Sequence, residues 1–188
     1  MAGCSEITLN LDWSKIPVER IRRNMTSMTS TLSGDFGKYA NLYKSLGADP
    51  EKQAKLFDNW YVLENQHLWH PGKLGDYDPE GYLETLAKTI AKPLKPAIRF
   101  YWLKAGQELG AHVDFATKAC INFVYQSRFA SIIVDDVPYP YGKFLLDNTK
   151  MHGVPACDMD RFIVSFAFGQ SYEAVSYTHL RAHETRGN

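Results

Sequence analysis

Between residues 97 and 169 the apolar positions come in short runs separated by turn-forming residues. The run Ile-Arg-Phe-Tyr-Trp-Leu at 98–103 alternates, with Arg99, Tyr101 and Leu103 on one face and Ile98, Phe100 and Trp102 on the other. That period of two predicts a strand. Further strands are expected over 109–115, 119–125, 131–134, 143–146 and 162–168, with Lys-Ala-Gly-Gln at 104–107 as a turn. Short strands at this spacing suit a sandwich or barrel.

The front of the chain has a different texture. Ile-Thr-Leu-Asn-Leu at 7–11 alternates and predicts a short strand, and Val-Glu-Arg-Ile-Arg-Arg after Pro17 predicts a short helix. The Thr/Ser-rich run over 25–34 reads as loop. Asp49-Pro50-Glu51 supplies a helix start, with Leu56, Trp60 and Leu63 at helical spacing behind it. Asp78-Pro79-Glu80 repeats that signature. Tyr82, Leu83, Leu86 and Ile90 then extend an amphipathic helix to about Ala91, and the two prolines over 93–96 end it. His67 and His70 precede a Pro-Gly turn and are expected in a loop with a structural or substrate-side role. No flexible linker divides the two parts, so one domain is expected over 1–174, a helical front at 1–96 buttressing a β core at 97–174.

Composition narrows the classes. A length of 188 residues with 45% hydrophobic content suffices for one well-cored domain. The net charge is zero, with 21 basic and 21 acidic residues, which leaves no footprint for nucleic acid or an anionic membrane. No apolar run reaches the roughly 20 residues of a spanning helix, and the first residues carry no signal-peptide pattern. Three cysteines, an odd number without Cys-x-x-Cys spacing, argue against a disulfide scaffold and for a reducing, cytoplasmic setting. The expected partner is a small-molecule or peptidyl substrate.

The tail needs separate treatment. Val-Ser-Tyr-Thr-His-Leu-Arg-Ala-His-Glu-Thr from 175 resembles the conceptual translation of a sequencing adapter, so 175–188 is expected to be non-native. His179 and His183, spaced i, i+4 like a zinc pair, are set aside with it.

Of the six histidines, His112 and His152 are then the two inside the β region. His112 stands in Gly-Ala-His-Val-Asp, two positions before Asp114, and a strand would present both side chains on one face. His152 stands in Asp-Asn-Thr-Lys-Met-His-Gly-Val and would have to return on another strand. Arg161 opens the last apolar run, Asp-Arg-Phe-Ile-Val-Ser-Phe. Two histidines and a carboxylate make the facial ligand set of mononuclear non-haem iron sites. A guanidinium grips a carboxylate through two parallel hydrogen bonds, so Arg161 could anchor an acidic cosubstrate.

On these motifs, region 97–169 resembles the Fe(II)/2-oxoglutarate-dependent dioxygenase superfamily, and is most similar to its aspartyl/asparaginyl hydroxylase-like branch. The resemblance implies a double-stranded β-helix, a cupin-like jelly roll, so the expected fold is mainly β with N-terminal helices. It implies Fe(II) held by His112, Asp114 and His152, with 2-oxoglutarate as cosubstrate and O2 as oxidant. Arg161 would hold the far carboxylate of 2-oxoglutarate. Tyr101, Asn122 and Ser165 are further candidates for the cosubstrate pocket. The best-known aspartyl/asparaginyl hydroxylases lack the metal-binding carboxylate, whereas this chain has Asp114. The expected activity is hydroxylation of an amino-acid side chain or small metabolite with release of succinate. A cupin-like binding module without turnover, or a zinc hydrolase using the same ligands, are the alternatives.

Overall fold

The computed structural model describes residues 3–28, 59–63, 74–114, 117–125 and 132–184. Eleven strands among these form two antiparallel sheets. In chain order they are β1 (Cys4–Glu6), β2 (Met25–Ser27), β3 (Trp60–Leu63), β4 (Ala97–Leu103), β5 (Leu109–His112), β6 (Ala119–Val124), β7 (Ile132–Val134), β8 (Val137–Tyr139), β9 (Lys143–Asp147), β10 (His152–Val154) and β11 (Arg161–Phe168). The α-helices among the described residues are α1 (Val18–Arg23), α2 (Tyr82–Ala87) and α3 (Tyr172–Glu184). The large sheet runs β1-β9-β6-β11-β4-β3-β2, and the small one β5-β10-β7-β8. The protein is therefore mainly β, two facing sheets of a jelly roll backed by helices.

Alternation along the central strands sorts side chains into two cores. Ile98, Phe100, Ile121, Phe123, Phe162, Val164, Phe166 and Phe168 join Ile21 of α1, Leu83 of α2 and Val175 of α3 behind the large sheet. Leu103, Cys120, Val124, Phe144, Leu146 and Ile163 face the other way. They meet Leu109, Ile132, Val134 and Val154 of the small sheet. This second core is the inside of the cup. Phe100, Phe166 and Phe168 are fully buried, each worth about 1.5–3 kcal/mol over an exposed ring. Phe100 and Trp102 thus belong to the helix-facing layer.

Three expectations are corrected. Residues 7–11 form no strand; β1 lies just before them, paired with β9. The Lys143 ammonium bonds the Thr8 carbonyl (3.2 Å) and Asn10 Oδ1 (2.6 Å), so side-chain bonds replace a ladder there. Residues 25–27, expected as loop, are β2, and 60–63, expected as helix, are β3. β3 pairs with β4 through Trp60↔Leu103, Tyr61↔Trp102 and Val62↔Tyr101. An aromatic, β-branched stretch at the flank of a sheet takes the extended form, because cross-strand packing outweighs a weak helical period. The helix start at 49–51, and His67 and His70, lie outside the described residues.

The Asp78 signature holds with a twist. Gly81, not Asp78, occupies the position before α2, in the left-handed region at φ 66°. Asp78 still caps: its two carboxylate oxygens accept the amides of Leu83 and Glu84, both at 3.0 Å. α3 takes in residues 175–184 of the adapter-like stretch. Val175 is buried, and His179 Nδ1 lies 2.9 Å from the Ile90 carbonyl.

Candidate metal centre

β10 brings the two histidines together. It pairs antiparallel with β5, placing His152 directly opposite His112, and with β7 on its other side. The imidazole centroids are 4.4 Å apart. The register then slips: Val154 pairs with Leu109, so two steps on β10 match three on β5. Such a bulge re-aims side chains at a rim. Gly153 sits in it, where an added Cβ would lie 3.0 Å from the Leu109 carbonyl oxygen and 3.2 Å from the Ala111 nitrogen. Only glycine permits that approach without moving backbone.

Asp114 lies two residues past His112, beyond the end of β5, not on the strand as expected. Its amide donates to the Asn148 carbonyl (3.0 Å), and the Asn148 carboxamide donates to Asp114 Oδ2 at 2.6 Å. The other oxygen, Oδ1, stands 3.7 Å from His112 Nε2. Both histidines are tied alike: His112 Nδ1 lies 2.8 Å from the Gly110 carbonyl, and His152 Nδ1 lies 2.9 Å from that of Lys150. A carbonyl can only accept, so each Nδ1 carries the proton and each Nε2 presents a lone pair. That is the tautomer a metal-binding imidazole needs, fixed by its outer hydrogen bond.

The ligand atoms of His112, Asp114 and His152 all lie within 4.8 Å of one another, the one such group among the described residues. Three atoms so placed share a point within roughly 2.8 Å of each, against about 2.0–2.2 Å for metal–nitrogen and metal–oxygen bonds. Small side-chain adjustments close the difference, so the donor set fits a divalent transition metal. Both imidazoles are buried, while the Asp114 side chain is about one-third exposed, at 34%. Burial, and then the neighbouring His152, holds the His112 imidazolium below its ordinary pKa, which keeps the ligand neutral.

The other candidates all lie on the cup's inner face. Arg161 is buried at the start of β11, opposite Leu103, and its Nε donates to Cys157 Sγ at 3.2 Å. The preceding Asp160 fixes that start, accepting from the Ala105 amide (2.9 Å) and Trp102 Nε1 (3.1 Å). Tyr101 faces Ile163 across the ladder and packs against Trp60 with centroids 5.0 Å apart. Asn122 and Ser165 are cross-strand partners. Asn122 donates to Cys120 Sγ at 3.0 Å, and burial pushes the pKa of that thiol up to about 12, against the opposing influence of Asn122, Ser165 and Asn148. The polar partner of Asn122 is thus a sulfur.

Residues not singled out from the sequence also line the site. Asn148, within the His152 motif, holds Asp114. Arg99, on the same face as Tyr101, donates through Nη1 to Thr117 Oγ1 at 2.9 Å. Its alternation with Tyr101 and Leu103 was the available signal.

No family model matches this sequence, and no curated protein sequence does. Solved structures similar to it include a predicted oxalate decarboxylase from Thermotoga maritima, 14% identical over 38% of this chain and 64% of that chain, at TM-score 0.32. A salicylate 1,2-dioxygenase from Pseudaminobacter salicylatoxidans is 15% identical over 43% of this chain and 23% of that chain, at TM-score 0.32. An oxidoreductase of the 2OG-Fe(II) oxygenase family from Burkholderia pseudomallei is 16% identical over 52% of this chain and 55% of that chain, at TM-score 0.33. The chain spans less than two thirds of each. TM-scores this low carry no argument about activity, which has to come from this chain's own residues. Among the described residues no helix is long and apolar enough to cross a membrane.

Proposed function

We propose that the protein is an Fe(II)- and 2-oxoglutarate-dependent oxygenase that hydroxylates an amino-acid side chain or small metabolite. The observation that carries the reading is the cross-strand pair His112 and His152 with Asp114 beside it, ligand atoms within 4.8 Å of one another and each Nδ1 engaged by backbone. His112, Asp114 and His152 would hold the metal by three positions and leave the remaining face for cosubstrate and oxygen. Bound iron with 2-oxoglutarate would couple oxidative decarboxylation to succinate with hydroxylation of a C–H bond. The chain's part is positional. Asn148 orients the carboxylate ligand, the Gly110 and Lys150 carbonyls orient the imidazoles, and the apolar wall of Trp60, Val62, Leu103 and Ile163 keeps water from the cup. Buried Arg161 would anchor the far carboxylate through charge-assisted bonds worth about 1.5–3 kcal/mol each.

The test is succinate release from 2-oxoglutarate by protein reconstituted with Fe(II), in air, with and without a substrate panel. Asp114→Ala should abolish it, and Arg161→Gln should raise the KM for 2-oxoglutarate by tenfold or more. No succinate in any condition, uncoupled turnover included, would overturn the reading and leave a metal- or ligand-holding module.

A further inference from the structure

We propose that Arg99, with Thr117 and Tyr101, forms a second carboxylate-binding subsite on the metal-facing side of the cup, separate from Arg161. Arg99 lies on the inner face, in register with Ser165 of β11. Arg161 is four residues further back along that strand, about 13 Å at strand rise, so the two guanidinium groups address different positions. Arg99 is anchored through Nη1 to the buried Thr117 hydroxyl, and the buried Tyr101 phenol on the same strand face favours its cation. Its hydrogen-bond partner Thr117 lies three residues beyond the ligand Asp114, and the Asp114 charge is among those that favour the Arg99 cation, so Arg99 stands on the metal-ligand side of the cup. No ion pair joins Arg99 to Asp114 among the described residues: Asp114 Oδ2 accepts from Asn148 and Oδ1 faces His112.

What remains is the Arg99 Nε–H, fully buried and without an acceptor among the described residues. A buried donor left so costs roughly 1–3 kcal/mol. A planar anion supplies the missing acceptor, since a carboxylate matches the fork of a guanidinium. Two sources bring one to this place, and the identity of the occupant, though not the subsite itself, rests on the oxygenase reading: the metal-proximal end of 2-oxoglutarate, or an acidic group on the substrate.

The test uses the full chain loaded with Mn(II) under argon, so that nothing turns over. Affinity for 2-oxoglutarate is measured by calorimetry, and 13C-formate relaxation by the bound Mn(II) reports a small carboxylate near the metal. Wild type, Arg99→Gln and Arg99→Lys are compared, with Mn(II) affinity and circular-dichroism melts confirming folding. Should Arg99→Gln not fold, Arg99→Lys, which keeps the charge and loses the fork, must show the loss in part. A loss of tenfold or more in 2-oxoglutarate affinity assigns the subsite to the cosubstrate. Unchanged 2-oxoglutarate affinity, with formate relaxation lost in the 2-oxoglutarate-saturated variant, assigns it to an acidic substrate. Wild-type behaviour of the variants toward both probes overturns the subsite. If 2-oxoglutarate binds no protein, wild type included, while formate relaxation still needs Arg99, the oxygenase reading fails and the subsite stands.

Discussion

Replacing Gly153 with alanine tests how tightly the strand pairing sets the metal centre. The new Cβ would meet the Leu109 oxygen at 3.0 Å, the Ala111 nitrogen at 3.2 Å and the Ala111 Cα at 3.3 Å. All three are backbone of β5 or its immediate run, so no side chain can swing aside. β10 has only three residues, so it cannot absorb the push along its length. The two strands must part by a few tenths of an ångström, and His152 moves with its neighbour. Overpacking of this kind costs about 1–3 kcal/mol. At roughly 2–4 °C per kcal/mol for a chain of this size, 2 kcal/mol lowers the melting temperature by about 4–8 °C. A shift of a few tenths of an ångström uses up much of the roughly 0.5 Å that a preorganised site tolerates, so metal affinity should fall by about threefold or more. Mn(II) titration and thermal melts on Gly153→Ala would measure both effects. Gly169→Ala is the control, because a Cβ there has nothing within 4 Å. A Gly153→Ala protein that binds metal within twofold of wild type and melts with the control would refute the reasoning.

Two further outcomes are expected. The metal-free protein should lose stability as the pH falls below about 6.5, the ordinary histidine value. Burial and His152 depress the His112 pKa in the folded state, so there the unfolded chain binds a proton that the folded chain does not, and ΔG of unfolding rises with pH. Urea midpoints at about pH 7.5 and about pH 5.5 should differ more in wild type than in His112→Gln, and an equal difference would remove His112 as the cause. Asp78→Ala strips the α2 amides of two acceptors and should cost about 1–2 kcal/mol, read as a drop in melting temperature of roughly 2–8 °C with metal affinity unchanged; an unmoved melting temperature would contradict the cap.

The candidate metal cluster of His112, Asp114 and His152 was more legible in the sequence than the sheet that carries it. Period-two alternation placed Arg99, Tyr101 and Leu103 on one face and Ile98, Phe100 and Trp102 on the other, as the two cores have them. The histidines and Asp114 were singled out by residue type and order, and the β5–β10 pairing that joins them is a long-range contact that local pattern does not encode. Short strands were missed for the same reason. β1, β2 and β8 have three residues each, too few to show a period, and exist because a neighbour offers a ladder. Asn148 and Thr117 escaped because their roles depend on what faces them across the fold. Trp60 was misread because Leu56, Trp60 and Leu63 satisfy a helical spacing that β4 overrides by pairing.

Metal titration of the single variants tests the central claim most directly. Wild type should bind one Mn(II) or Fe(II) per chain under argon, gaining about 2.7 kcal/mol of stability at a hundred times the dissociation constant. His112→Ala, Asp114→Ala and His152→Ala should each remove that site while leaving the metal-free melt recognisably cooperative. Full stoichiometric binding in His152→Ala, at wild-type affinity, would mean that β10 does not complete a metal centre, and the proposed oxygenase would fall with it.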